Sequence, residues 1–303
     1  MSKILVSGLI NIETNLEVDS FPIQYEPVKY PFFGITSSVS GVGYNIAKAL
    51  TILGNKVNLM SIVGKDTFGA VIKETLSHDK IKSKYVIESM KNTPQSVIIF
   101  DKKGKRQINT DLKFIQNEVY PVGKFDEAVK DSSIAVLCNI NFSRPYLEKA
   151  KKAGKIIATD VHAVSNINDK YNRDFMSYAD ILFLSDEKLP CLPQEFAKKL
   201  MNKFGNGIIV IGLGKKGALL CVKKDNFTER ISAVKTRKIV NTIGAGDALF
   251  SAFIHFYFKT KNPYLSIKKA LIFASYKAGA SGGAEGFLTE NQIKVRCLAS
   301  QKL

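Results

Sequence analysis

The chain has no tryptophan, only four cysteines and only three histidines among its 303 residues. The cysteines (Cys138, Cys191, Cys221, Cys297) form no CxxC pair, so a disulfide framework is not expected and they read as thiols of a reducing compartment. His78, His162 and His255 are equally scattered, and no zinc site is spelled out locally. The longest apolar runs, as at residues 249–258, reach about ten residues where roughly 20 are needed to span a bilayer. The start, Met-Ser-Lys followed at once by a strand-like run, lacks the regions of a signal peptide. A soluble, cytoplasmic protein with no membrane partner is expected.

Arginine is also scarce. Only six of the 44 basic residues are Arg, and against 27 acidic residues they give a formal charge of +17 and a pI near 9.6. Such a charge suits a polyanionic partner. A base-reading surface, however, favours the bidentate fork of Arg and aromatic stacking, and here the lysines are dispersed along the chain. Nucleic acid is therefore not the expected partner. A Lys-rich solvated surface that also attracts phosphorylated ligands fits better.

What is present is a globular composition, 45% hydrophobic and 23% charged, in a chain long enough for a large core. Strand-like and helix-like runs alternate. Strands are predicted at 3–8, 57–63, 134–138, 155–160, 181–184 and 207–211. Helices are predicted at 45–53, 66–79 (capped by Asp66), 144–153, 169–178 and 195–204. This alternation implies crossover units and a largely parallel sheet covered on both faces. Two segments break it. Residues 11–38 carry three prolines and the aromatic cluster Tyr30-Pro31-Phe32-Phe33. Residues 93–110 read as a hairpin turning at Asp101–Gly104. Either they decorate the surface or they join one small β layer over the carboxyl ends of the main strands, where ligands bind in open α/β folds.

Three glycine clusters carry the chemistry. Gly212-Leu213-Gly214-Lys215-Lys216-Gly217 matches G-x-G-x-x-G after a strand, but the run that follows (ALLCV) is too short for a helix. The loop joins two strands, and the dinucleotide fingerprint fails its context. A glycine turn approached by a nucleotide and a plain hairpin both remain open. No Walker A sequence occurs.

The second cluster, Thr242-Ile243-Gly244-Ala245-Gly246-Asp247, leads into an apolar run of helical length. Small residues ahead of a buried helix leave its first N–H groups free beside the positive dipole end, which makes an anion site. Asp247 at its mouth is either a helix cap or a base that activates a nucleophile. The three small residues ahead favour the base. The third cluster, Ser40-Gly41-Val42-Gly43-Tyr44-Asn45, opens another helix. It is either a glycine turn capped by Asn45 or a close backbone approach to a polyol, with the Asn45 amide on a hydroxyl.

Together these residues resemble the ribokinase-like (PfkB) family of sugar and nucleoside kinases. The run from Thr242 to Asp247 is similar to that family's T-x-G-A-G-D signature. Gly41-Val42-Gly43-Tyr44-Asn45-Ile46-Ala47 is similar to its N-terminal glycine motif, in the form seen in pseudouridine kinase-like members. The resemblance covers essentially the whole chain. It implies a single α/β unit over residues 1–303, doubly wound around a mostly parallel sheet with helices on both faces, and a small β lid formed by about 11–38 and 93–110. The activity it implies is ATP-dependent phosphorylation of a hydroxymethyl group, with Asp247 as catalytic base and Gly244, Ala245 and Gly246 as anion hole. It places Gly212, Gly214 and Gly217 near ATP, and Asn11, Glu13, Gly41, Gly43 and Asn45 on the substrate side. Mg²⁺ is expected with ATP, a monovalent cation is left open, and a homodimer through the lid is compatible.

The chain departs from the family pattern at several positions. Ser40-Gly41 replaces a Gly-Gly pair, Glu13 an Asp, and Asn241 the first Asp of the signature. The N-x-x-E motif tied to magnesium appears as Ser185-Asp186-Glu187-Lys188, leaving Asp186 or Glu187 to substitute. The expected acceptor is a small sugar or nucleoside, the nucleoside preferred because Tyr30–Phe33 would stack on a base. A non-catalytic nucleotide- or sugar-sensing protein of the same fold is the competing expectation.

Overall fold

The computed structural model describes residues 3–300, the side chains of 298–300 excepted. The chain begins β1 (Lys3–Ser7), β2 (Asn11–Val18), β3 (Ile35–Ser40), α1 (Val42–Ile52), β4 (Lys56–Gly64), α2 (Thr67–His78), β5 (Val86–Met90), β6 (Gln95–Asp101) and β7 (Arg106–Asp111). It continues α3 (Val122–Lys130), β8 (Ile134–Leu137), α4 (Tyr146–Lys152), β9 (Ile156–Ala163), α5 (Arg173–Tyr178), β10 (Ile181–Ser185), α6 (Pro193–Phe204), β11 (Ile208–Gly212), β12 (Ala218–Val222) and β13 (Phe227–Ile231). Three helices close it: α7 (Ala245–Thr260), α8 (Pro263–Lys277) and α9 (Glu290–Ser300).

Two sheets result. A nine-stranded sheet has the order β13-β12-β11-β10-β9-β8-β1-β4-β5, parallel from β5 to β11 and antiparallel over the β11-β12-β13 edge. Its parallel strands read as unbroken apolar runs (IAVL in β8, IIVI in β11) because helices cover both faces. Alternation divides each strand between two cores. Ile4 and Val6 join the layer packed with α1, α7 and α8, and Leu5 joins the layer packed with α3 to α6. The ring of Phe183 on β10 meets Phe250 and Phe253 edge-on, at centroid distances of 4.9 and 5.3 Å, and so anchors α7 on the sheet.

A separate four-stranded sheet has the order β3-β2-β6-β7, with β2 and β6 parallel and the outer pairs antiparallel. The segments that broke the strand–helix alternation do form one layer. Its β6–β7 turn is tied by Asp101, whose carboxylate accepts from the Lys103 and Lys105 amides at 2.9 Å.

Several predicted boundaries shift. α1 starts at Val42 rather than at Asn45, because Gly41, at φ 100°, takes the cap position. α5 begins only at Arg173, and the predicted helix at 144–153 is found as the slightly shorter α4, with a 3₁₀ turn (Asn141–Ser143) just before it. All four cysteines are free. Among the described residues, no helix is long and apolar enough to cross a membrane.

Candidate active site

The strand order reverses at β1: the chain leaves it for β4 on one side and later lays β8 to β11 on the other. Ligands of open α/β sheets bind beyond the carboxyl ends of the strands at such a switch point. The residues that follow β1 and β8 meet there, since a Cβ on Gly8 would lie 2.7 Å from the Cys138 Sγ.

Two helix N-termini converge on this crevice, and backbone geometry fixes both. Gly41 precedes α1 at φ 100°, and a Cβ there would stand 2.6 Å from the Leu9 carbonyl. Gly244 caps α7 at φ 71°, and a Cβ there would stand 2.2 Å from the Gly283 carbonyl. Only glycine meets both demands without moving the partner backbone. Gly43 packs on the Gly8 backbone, whereas a Cβ on Gly246 would meet nothing within 4 Å. That leaves open space beside the first turn of α7, as an anion cradle requires.

Asp247 lies three residues past the cap, inside the first turn of α7, and is 8% exposed. It is therefore not the N-cap. Its carboxylate instead accepts from the Asn45 side-chain amide at 2.8 Å, a contact between residues 202 apart in sequence. Asn45, inside α1, is likewise no cap. The wiring continues outward. Ser40 Oγ lies 3.4 Å from Asn45 Oδ1 and donates to Glu13 Oε2 at 3.1 Å, while Asn15 Nδ2 donates to Glu13 Oε1 at 3.3 Å. Asn11 Nδ2 donates to Ser96 Oγ at 2.7 Å. Glu13, Asn15, Ser40, Asn45 and Asp247 thus form one buried polar chain linking β2, β3, α1 and α7.

Burial pushes the Asp247 carboxyl above its ordinary range, against the Asn45 hydrogen bond and the attraction of His162 and Lys277, while Asp160 adds to the rise. Lys277, at the end of α8, is fully buried and donates to the Ile243 carbonyl under the glycine turn. Desolvation lowers its pKa to about 8, although Asp247 and Glu13 pull the other way. Asp160 and His162 end β9; the His162 amide donates to Asp160 Oδ1 at 2.8 Å, and His162 takes φ 57°.

These neighbours were not singled out from sequence. A charged pair closing a buried strand was the available signal for Asp160 and His162, and the Gly282-Gly283 pair after α8 for the loop that faces Gly244. Arg106, at the start of β7, has a longer reach. It donates to Thr242 Oγ1 at 2.8 Å and sits 3.9 Å from Glu187 Oε1. It carries the small sheet over both the glycine turn and the end of β10.

The remaining predicted residues lie on the open side. Gly212, Gly214 and Gly217 do join two antiparallel strands, β11 and β12, through a 3₁₀ turn. Gly217 packs against the Ile231 carbonyl, a structural need of its own, while Gly214 faces open space. Asp186 and Glu187 follow β10, and the Glu187 side chain is 67% exposed. Among the described residues, no group of three or more His, Cys, Asp or Glu could hold a metal ion. Tyr30, Phe32 and Phe33 are 75%, 86% and 101% exposed on the β2–β3 loop, and Tyr30 stacks on Phe32. A cavity of about 940 Å³ lies at the amino ends of β1, β4 and β8, lined by Lys3, Lys56, Lys80, Lys82 and Lys84.

A model of the pfkB family of carbohydrate kinases matches residues 1–290. The chain is 27% identical over 325 residues to a ribokinase from Dictyostelium discoideum, covering 96% of this chain and 99% of that one. Among solved structures, a microbiome-derived acarbose kinase superposes with a TM-score of 0.88 at 22% identity, covering 98% and 99% of the two chains. An Arabidopsis thaliana ribokinase, solved with ribose and ATP, superposes with a TM-score of 0.80 at 19% identity, covering 97% and 98%. Both likenesses show the fold.

Proposed function

The chain belongs to the pfkB family of carbohydrate kinases, and from that premise we propose that it transfers the γ-phosphoryl group of ATP to a hydroxymethyl group of a small sugar-containing acceptor, with Asp247 as general base. The observation that carries this reading is the Asn45–Asp247 hydrogen bond at the mouth of the glycine-bounded start of α7. A carboxylate whose pKa is raised by burial sits closer to working pH and is a better proton acceptor than an exposed one. Asn45 pins the Asp247 carboxylate through Oδ2, so the acceptor hydroxyl meets a fixed base.

In this reading the amides of Gly244, Ala245 and Gly246 receive the charge that builds on the transferring phosphoryl group. They are backbone dipoles held in place before reaction, so little reorganisation opposes the step. Asn11, Glu13, Gly41, Gly43 and Asn45 bind the acceptor. Gly212, Gly214 and Gly217 flank the nucleotide, and the four-stranded sheet acts as a lid. Magnesium keeps several waters and takes one or two carboxylates plus substrate phosphates. Asp186 and Glu187 fit that demand, and the ion supplies neutralisation of phosphate charge.

The nucleoside preference rests on the exposed Tyr30, Phe32 and Phe33 alone, whereas the Dictyostelium relative is a ribokinase and points to a free pentose. We therefore favour the free sugar. A second copy would pack on the outer lid face, where Ile35 and Val97 stand 57% and 41% exposed.

The test is an ATP-consumption screen against free sugars and nucleosides, with the product mass as readout. Mass gain of one phosphoryl group on a free sugar supports the proposal, and on a nucleoside alone it restores the other acceptor class. ATP binding without turnover on any acceptor favours the non-catalytic sensor.

A further inference from the structure

The acceptor wall has an uneven balance of hydrogen-bonding groups. Alternation along β2 places Asn11, Glu13 and Asn15 on one face, and they are 4%, 6% and 4% exposed. Among the described residues, Asn11 Oδ1 and Asn15 Oδ1 are buried without a hydrogen-bond partner. Each is the carbonyl end of an amide whose nitrogen is already engaged, on Ser96 Oγ and on Glu13 Oε1 respectively. Turning the Asn15 amide over would set its oxygen against the Glu13 carboxylate. The unpaired atom is therefore an acceptor and not a donor.

Ser40 Oγ gives its one proton to Glu13, and one N–H each of Asn45 Nδ2 and Lys277 Nζ goes to Asp247 and to the Ile243 carbonyl. Two amides of the first turn of α1, on Gly43 and Tyr44, turn to the Leu9 carbonyl, at 2.9 and 3.4 Å, and are used internally. Among the described residues, the unpaired buried atoms of this wall are Asn11 Oδ1 and Asn15 Oδ1, and the Glu13 and Asp247 carboxylates stand beside them, so acceptors predominate and two of the groups are acidic.

Given the acceptor site read above, on which this inference rests, we propose that Asn15 is a specificity-determining residue and that the acceptor is an uncharged polyhydroxylated sugar, not a sugar acid or sugar phosphate. Hydroxyl groups bring the O–H donors that the orphaned carbonyl oxygens lack. A carboxylate or phosphate on this wall would bring further acceptors and negative charge against the Glu13 and Asp247 carboxylates, and would leave the orphaned carbonyl oxygens unpaired. Discrimination of this kind arises when a buried polar group is left unpaired by the wrong ligand.

The test compares matched pairs, D-ribose with D-ribonate and D-glucose with D-gluconate, by ADP release and product mass. It adds the near-isosteric Asn15→Leu, with Asn15→Ala as a second variant should the first fail to fold. The neutral member of the better pair is expected to exceed its acid at least about tenfold in kcat/KM. In Asn15→Leu its KM should rise about 5- to 150-fold, with the ATP KM and the melting temperature little changed. A merely structural Asn15 would lower the melting temperature without splitting the two KM values. Preference for an acid, or an unaltered sugar KM in both variants, overturns the inference while leaving a working kinase. ATP binding with no turnover on either class removes the reading beneath it, and the inference falls with it.

Discussion

The two halves of the crevice are built by opposite means. On the proposed acceptor half, side chains from four elements meet side chains: Glu13, Asn15, Ser40, Asn45 and Asp247 are buried and joined by hydrogen bonds of 2.8 to 3.4 Å. On the proposed nucleotide half, the material is backbone and exposed loop. It comprises the Gly212–Gly217 turn, the stretch 232–242 that lies outside helix and strand, and a Glu187 side chain that is 67% exposed. A base and a specificity wall must be fixed to a fraction of an ångström, and burial with cross-bonding achieves that. A triphosphate with its ion brings its own charge and geometry, and needs amides and open space to receive it. Arg106 is the piece that spans both, through Thr242 and Glu187.

The sharpest way to break this comparison is Asp247→Asn. The change keeps shape and removes the proton acceptor, so kcat should fall about 10²- to 10⁴-fold while ATP still binds. Turnover near wild type would make the buried half scaffolding only. Gly244→Ala comes next. The added methyl must displace the Gly283 carbonyl at a positive φ, and the glycine amides should move out of line. A fall of about 10²–10³-fold in kcat is expected, comparable to removing one oxyanion donor. Full activity would place the transferring group elsewhere.

Asn45→Ala or Glu13→Ala should raise the acceptor KM about 5- to 150-fold, because each leaves a hydroxyl or a neighbour unpaired in a dry site. The ATP KM should stay within about twofold on the same reasoning. Equal changes in both constants would dissolve the division into halves. Lys277→Met is the subtler probe. The ammonium holds the Asp247 pKa down, so its loss raises that pKa further. Activity needs the ionised base and is lost as pH falls through its pKa, so the acid limb of kcat/KM should move to higher pH in the variant. In the wild type the same cation is itself lost above pH about 8. An unmoved acid limb would disconnect Lys277 from the base.

What could be seen from sequence follows the range of the interaction. Buried parallel strands announce themselves as local apolar runs, and the Gly-Ala-Gly-Asp start of α7 is a contiguous motif. Both the parallel main sheet and the glycine-bounded start of α7 were visible for that reason, while the second sheet was one of two open readings of the segments that broke the alternation. Asn45 was read as lying at a helix start, but its bond to Asp247 spans 202 residues, and nothing local distinguishes it from a cap. Arg106 and Thr242 are 136 residues apart. Lys277 ends an amphipathic helix like many others, and only the packing of α8 under the Ile243 turn gives it a role. The aromatic run Tyr30–Phe33 is a different case: composition suggests a stacking surface and the rings stand exposed on the β2–β3 loop, so the acceptor screen decides their role.

The central claim is that the acceptor half is complete before the nucleotide arrives, and acceptor binding without ATP tests it most directly. Calorimetric titration of the wild-type protein with the sugar identified by turnover, alone and with a non-hydrolysable ATP analogue, gives the two dissociation constants. They are expected to agree within about tenfold, or 1.4 kcal/mol. Acceptor binding that is detectable only when the nucleotide analogue is present would contradict the claim.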